Sequence, residues 1–238
     1  MFFFFLPAMM SYDLILLAAA VIPAAFLMVK VYRSDRLERE SPYMLGRLVL
    51  AGIASSLIAL VSERVLSWLL DVTVRNDGLY MVLLYFVVVA FSEEGAKYFM
   101  LYRASWRSRE FNCQYDGVIY AVFVSLGFAL WENISYVMFY GFSTAIIRAV
   151  TAIPGHTCFG VFMGIFYGIA RKYENRGLHE QAKTCQALSV LVPAILHGAY
   201  DYIASTQTSG AYFLVFIIAL FAVSYYAVTK GSKEDRFI

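Results

Sequence analysis

The sequence predicts an all-α polytopic membrane protein, a bundle of about seven transmembrane helices with the N-terminus outside and the C-terminus cytoplasmic. Three observations carry this. Of 238 residues, 61% are hydrophobic, and the mean hydropathy is +0.66, too apolar for a water-soluble domain. Seven windows approach the ~20 mostly apolar residues that a spanning helix needs, because lipid cannot satisfy backbone groups left unpaired. Between those windows the basic residues fall on one side of the bilayer.

The windows are 14–31, 45–70, 79–102, 117–140, 149–170, 187–205 and 211–228. Their connections are short and leave no room for a soluble domain, so residues 1–238 read as a single membrane domain. Residues 1–10 are apolar but lack the basic start of a signal peptide. They run almost directly into the first window and are expected as an interfacial or lumenal apron rather than a cleaved leader.

The first connection carries Lys30, Arg33, Arg36, Arg39 and Arg47. The third carries Arg103, Arg107 and Arg109, and the fifth Arg171, Lys172, Arg176 and Lys183. The tail adds Lys230, Lys233 and Arg236. Only Arg75 and Arg148 fall on the opposite face, while Arg64 and Lys97 lie within windows. Cytoplasmic loops collect Lys and Arg, and an even or shifted helix count would scramble this alternation. The net charge of +2 gives no pull toward nucleic acid; the implied surroundings are the lipid bilayer. Cys113, Cys158 and Cys185 form no CxxC and are odd in number, so neither a disulfide frame nor a zinc cluster is indicated.

The third window holds Glu93, Glu94 and Lys97 in an apolar run. Spacings of four and three residues place the ammonium over both carboxylates on one helical face. A neutralising ion pair is the plain alternative, but one glutamate would neutralise Lys97. The second leaves a surplus charge or a shared proton, and either suits a group that takes a proton from water.

The fourth window holds Glu132 and Asn133, with Phe128 four residues before Glu132; alone, Glu132 could be a packing acid or a partner for Arg148. In the fifth, His156 follows Pro154, which is expected to kink or start the helix. It continues a stripe of Gly160, Gly164 and Gly168 that lets another backbone approach closely. In the sixth, His197 and Asp201 share a face, an arrangement that fixes an imidazole tautomer or aims both groups at a substrate. Glu63 and Arg64, late in the second window, are read as snorkelling to the outer surface. His179 is placed in the fifth connection, and Asp116 is a candidate N-cap.

Carboxylates and imidazoles without an evident nucleophile suggest activation of water. There is no HExxH zincin motif and no GxSxG elbow. Cys158 lies too close to His156 along one helix to form a nucleophile–base pair. A proton- or ion-coupled transporter also places ionisable groups across helices, but it predicts an inverted repeat, and none is evident. A non-catalytic membrane sensor or scaffold is the remaining alternative.

EExxK at 93–97, FxxxEN at 128–133, the isolated His156 and HxxxD at 197–201 occur in this order on successive helices, spanning a core of about 79–205. This constellation resembles the PrsW family of intramembrane proteases, which is distantly related to the CAAX prenyl endopeptidases and Abi proteins. The resemblance implies hydrolysis of a peptide bond of a single-pass, membrane-anchored substrate in a bacterial or archaeal plasma membrane. The best-known such activity is site-1 cleavage of an anti-sigma factor. It further implies Glu93 as the base for water and Glu94 as its assistant, with His156, His197 and Asp201 orienting water or stabilising the oxyanion. Glu132 is the least direct transfer. Glu93, His156 and His197 could supply a site for a divalent metal such as zinc. The same groups could act metal-free, an option favoured by Lys97, which already supplies the local counter-charge. Counting ~1.5 Å per residue sets Glu93 nearer 20 Å below the outer surface and Glu132, His156 and His197 at roughly 10–12 Å. Convergence therefore requires helix 3 to project outward or its boundary at Leu79 to be too early.

Overall fold

The computed structural model describes the backbone of residues 5–35, 37–206 and 210–238, with side chains from residue 13 onward. Residues 1–4 of the expected apron lie outside the described residues, and from Phe5 the chain is already helical. Nine α-helices follow among the described residues. They are α1 (Phe5–Ser34), α2 (Pro42–Thr73), α3 (Asp77–Leu83), α4 (Ser92–Ser105), α5 (Asp116–Tyr140), α6 (Phe142–Val150), α7 (Ala152–Asn175), α8 (His179–Ser205) and α9 (Gly210–Lys233). α3 passes into α4 through a π-helical segment, Leu84–Phe91. Taken as continuous rods, these form seven helices long and apolar enough to cross a membrane.

The helix starts follow local chemistry. Ser41 caps α2 by accepting from the Met44 amide, with Pro42 at the first helical position. Asn76 caps α3 through the Leu79 amide. Asp116 is not the N-cap of α5 but its first helical residue, and its Oδ2 accepts the Asn112 and Cys113 amides of the preceding loop. His179 likewise opens α8 rather than sitting in the connection. Pro154 lies in the first turn of α7, where its missing N–H costs nothing. The break before α7 falls at Thr151.

α5 is the axle of the bundle: 78% of its most apolar window lies inside the molecule, against 17% for α9. Two glycine seams bring its neighbours close. A Cβ on Gly164 would stand 2.4 Å from the Val118 Cα, and one on Gly168 2.1 Å from the Gln114 carbonyl oxygen. On the other side Gly52 of α2 meets Val124 of α5 in the same way. α2 and α7 therefore clasp α5 backbone to backbone, as small residues permit in lipid.

The ends of the bundle are also defined. The C-terminal tail returns to the α4–α5 loop, with the Gln114 amide donating to the Arg236 carbonyl and the Ile238 amide to the Asn112 carbonyl. The Ser232 hydroxyl bonds the Ser34 carbonyl. The end of α1, the α4–α5 loop and the C-terminus thus share one end, which carries most of the basic residues.

Candidate active site

The rod from Asp77 to Ser105 has 29 residues and so rises about 43 Å, well beyond a hydrocarbon core of ~30 Å. Its start at Asp77 lies earlier than Leu79, so a boundary set too early is not what brings Glu93 level with its partners. Its π-helical turns, with i→i+5 hydrogen bonds, reset the helical phase just before the acidic pair, as such bulges often do at functional sites. Gly198 of α8 makes room: a Cβ there would meet the Phe86 ring at 2.6 Å.

In the first two turns of α4, Glu93, Glu94 and Lys97 are all buried. Lys97 Nζ donates to Glu94 Oε1 at 2.8 Å and to Glu93 Oε2 at 3.2 Å. Its third hydrogen bond goes to His156 Nδ1 of α7 at 3.2 Å. The ammonium also rests 3.9 Å from the centre of the Phe128 ring, a contact that stabilises a desolvated cation. An ammonium has three donors and no acceptor, so His156 Nδ1 accepts and His156 Nε2–H is left to donate. It donates to Glu132 Oε2 at 2.9 Å. The spacing of FxxxEN now has a cause. Phe128 and Glu132, four apart on one face of α5, cover the ammonium and hold the imidazole.

Glu132 Oε2 is also 2.9 Å from Arg148 Nη2 of α6, so this acid both pairs with the arginine and orients His156. Arg148 Nε donates to Asn133 Oδ1, and Asn133 Nδ2 donates to the Ala20 carbonyl, each at 2.9 Å. Asn133 therefore fixes Arg148 and ties α1 to α5 and α6. On α8, His197 Nδ1 lies 3.0 Å from Glu94 Oε1, and its Nε2 lies 3.4 Å from Asp201 Oδ2. The His156 and His197 rings meet edge to face at 5.3 Å. All eight residues singled out in the sequence thus join one network drawn from four helices, with Arg148 as the link to Asn133.

A cavity of about 760 Å³ opens beside this network, lined by Glu93, Glu132, His156, His197 and Asp201 but not by Glu94, Lys97 or Asn133. Its rim includes Phe139 and Ile147, 84% and 61% exposed, so it opens near the end opposite the basic connections. Glu63 also lines it. The sequence reads this residue as snorkelling to the outer surface and gives it no role at the site; the structure puts it on the cavity wall. Ser56, Ala59, Leu60 and Glu63 follow the i, i+3, i+4, i+7 pattern of one face, and the small residues in that stripe are the signal that the face packs inward.

The fold and site together define a class: a polytopic helical membrane protein in which carboxylates and imidazoles from several helices border a cavity between its membrane-length helices. A family described as PrsW family intramembrane metalloprotease matches residues 40–228, from the entry to α2 through most of α9. The chain belongs to this family, and it is a peptidase. Proteins named Protease PrsW are similar to it along nearly their whole lengths. The one from Halalkalibacterium halodurans is 31% identical over 223 residues, 93% of this chain and 99% of the relative. The one from Clostridioides difficile is 32% identical over 233 residues, 95% and 94%, and the one from Bacillus subtilis 28% over 219 residues, 92% and 94%. No solved structure matches.

The family description implies a metal, and the residues present fit one. Single ligand atoms of Glu93, Glu94, His156 and His197 all lie within 4.8 Å of one another. Glu94 Oε2 is buried and accepts no hydrogen bond among the described residues. Imidazoles with carboxylates are a donor set that catalytic zinc takes. Lys97 Nζ already engages three of these four residues, so the ammonium and a dication draw on the same lone pairs.

Proposed function

We propose that this peptidase cleaves a single-pass membrane protein in the outer half of the bilayer, with Glu93 accepting a proton from the attacking water. An anti-sigma factor is the substrate class we infer, following the resemblance carried by the four motifs. The observation that supports Glu93 is the asymmetry of the acidic pair. The Glu93 side chain is 9% exposed and borders the cavity, whereas that of Glu94 is 0% exposed and held by both Lys97 and His197.

Water in the cavity donates a proton to Glu93 as its oxygen bonds to the scissile carbonyl carbon, and the same proton then passes to the leaving amine. His197 Nδ1 is taken by Glu94 Oε1, so as an imidazolium it would donate to the oxyanion from Nε2, whose contact with Asp201 Oδ2 is long at 3.4 Å. Donors fixed in a dry site are worth several kcal/mol there. Asp201 and Glu94 orient His197 from either side, and Glu132 and Lys97 do the same for His156. A zinc ion held by Glu93, His156 and His197 would polarise that water. The basic residues at the end away from the cavity mouth support an extracytoplasmic opening.

Purified protein incubated with a single-pass reporter tests this. Glu93→Gln is expected to lower cleavage by ~10²–10⁴-fold, the usual span for a general base, with the melting temperature kept. Glu94→Gln is expected to lower both. Full cleavage by Glu93→Gln rejects the base assignment, and no cleavage of any anti-sigma-type reporter by the wild type rejects the substrate.

A further inference from the structure

A second cavity, about 670 Å³, runs along the outside of the bundle between α1, α7 and α9. Its floor is α7, including Thr157 and Cys158, and apolar side chains such as Val161 and Phe221 form its walls. Along α9 it extends from Phe221 to Ser232, a rise of about 16 Å at ~1.5 Å per residue. That matches one leaflet of a hydrocarbon core ~30 Å thick. Phe26 and Tyr225 on its edges are 65% and 66% exposed, so the slot is open sideways to lipid.

The slot has a charged end. Lys30 and Arg33 line it where α1 reaches the basic end of the bundle, and neither has an ion-pair partner among the described residues. Lys30 Nζ instead lies 5.9 Å from the centre of the Tyr225 ring. The nearby hydroxyls do not compete for an anion, since Ser34, Thr229 and Ser232 all donate to backbone carbonyls. In a bilayer an apolar slot gains little by exchanging one hydrocarbon for another, so any selectivity must come from its polar end. A guanidinium and an ammonium at the headgroup level select phosphate. An apolar helix from another protein would have no use for them.

We propose that this groove is a binding site for an anionic phospholipid of the leaflet at the basic end. Its phosphate lies between Lys30 and Arg33, and one acyl chain runs along α7 between α1 and α9. Because Thr157 and Cys158 directly follow His156, the chain braces the helix that presents this imidazole. The site stands independently of the proteolytic mechanism.

Native mass spectrometry of the detergent-purified full chain, titrated with phosphatidylglycerol or phosphatidylcholine of matched chains, tests the proposal. The wild type is expected to retain one phosphatidylglycerol with an affinity about tenfold or more above phosphatidylcholine, since each basic residue near an anionic headgroup contributes. Lys30→Gln/Arg33→Gln removes the preference, and Arg103→Gln/Arg107→Gln, basic residues at the same end but outside the groove, retains it. Val228→Trp fills the slot without changing charge and also lowers retention. Preference that survives in Lys30→Gln/Arg33→Gln, or that falls equally in both double variants, overturns the site. A dimer that Val228→Trp dissociates, with no preference between lipids, assigns the groove to a second copy and also overturns it.

Discussion

Lys97 Nζ stands 3.2 Å from His156 Nδ1, and this one contact couples the acidic turn of α4 to the imidazole of α7. It makes the lysine more than a counter-charge. By occupying Nδ1 it sets the tautomer through which His156 donates to Glu132, so a charge on one helix decides the proton position on another.

Lys97→Met is therefore expected to damage two properties at once. Removing one partner of a buried pair leaves uncompensated charge and costs about 3–5 kcal/mol, read as a large fall in melting temperature. Cleavage is expected to fall by at least ~100-fold as His156 loses its fixed tautomer. The acceptors that Lys97 releases are then free for a dication, so after dialysis against zinc the variant should carry more metal than the wild type. Equal zinc content in the two proteins would mean that the lysine already steps aside for the ion.

Glu63→Gln separates a cavity wall from the buried cluster of carboxylates and imidazoles. Glu63 borders the same cavity as Glu93 and Asp201 yet makes no hydrogen bond or ion pair among the described residues. Removing its charge therefore breaks no contact, and the melting temperature is expected to hold or rise. The effect should fall on KM, with kcat nearly unchanged, because the group faces substrate space rather than the reacting atoms. A loss of kcat as deep as that of Glu93→Gln would place Glu63 in the chemistry itself.

The helices and most of the site were legible because lipid makes polarity expensive. Glu93, Glu94, Lys97, His156 and His197 stand out against apolar neighbours, and spacings of three and four residues put each pair on one face. The proximity of His156 to another helix was legible too, since the Gly160–Gly164–Gly168 stripe presses α7 onto α5, the helix that carries Glu132. What stayed hidden depends on three-dimensional phase. No residue pattern announces the π-helical turns at 84–91, and straight-rise counting left Glu93 some way below its partners. That Glu63 faces the cavity was hidden because Arg64 beside it suggests a snorkelling pair, although adjacent residues on a helix point about 100° apart. Arg148 was recognised as a partner of Glu132 but not as the bridge to Asn133, a contact that requires the short α6 to fold back.

The close contact between α5 and α7 is what keeps that site assembled. Gly168→Leu would drive a side chain into the Gln114 carbonyl, which a Cβ alone would approach to 2.1 Å. Overpacking of this kind costs about 1–3 kcal/mol or more, and it must spread the two helices. The expected result is a lower melting temperature together with lost cleavage, although Gly168 is remote from the cavity. Gly177, in the α7–α8 turn with open space around it, is the control for size: Gly177→Asn, which tolerates its positive φ, is expected to keep cleavage.

The pH dependence of stability has a source outside the membrane-spanning segments. Glu40 precedes α2 and is 5% exposed, and its Oε2 accepts the Tyr120 hydroxyl at 2.7 Å. Burial pushes its carboxyl up from 4.5 to about 7, against the opposing pull of the Tyr120 hydrogen bond. A folded-state value above the unfolded one means that the folded protein holds the proton more tightly. The stability this supplies is fully present below pH 4.5 and is lost as pH rises through about 7. Melting temperature should therefore decline between pH 5 and 7.5, if measured in uncharged detergent. Glu40→Gln keeps an acceptor for Tyr120 without the titratable proton, so it should flatten that decline and melt above the wild type at pH 8. A wild-type slope that persists unchanged in Glu40→Gln would assign the effect to another group at this end of the bundle.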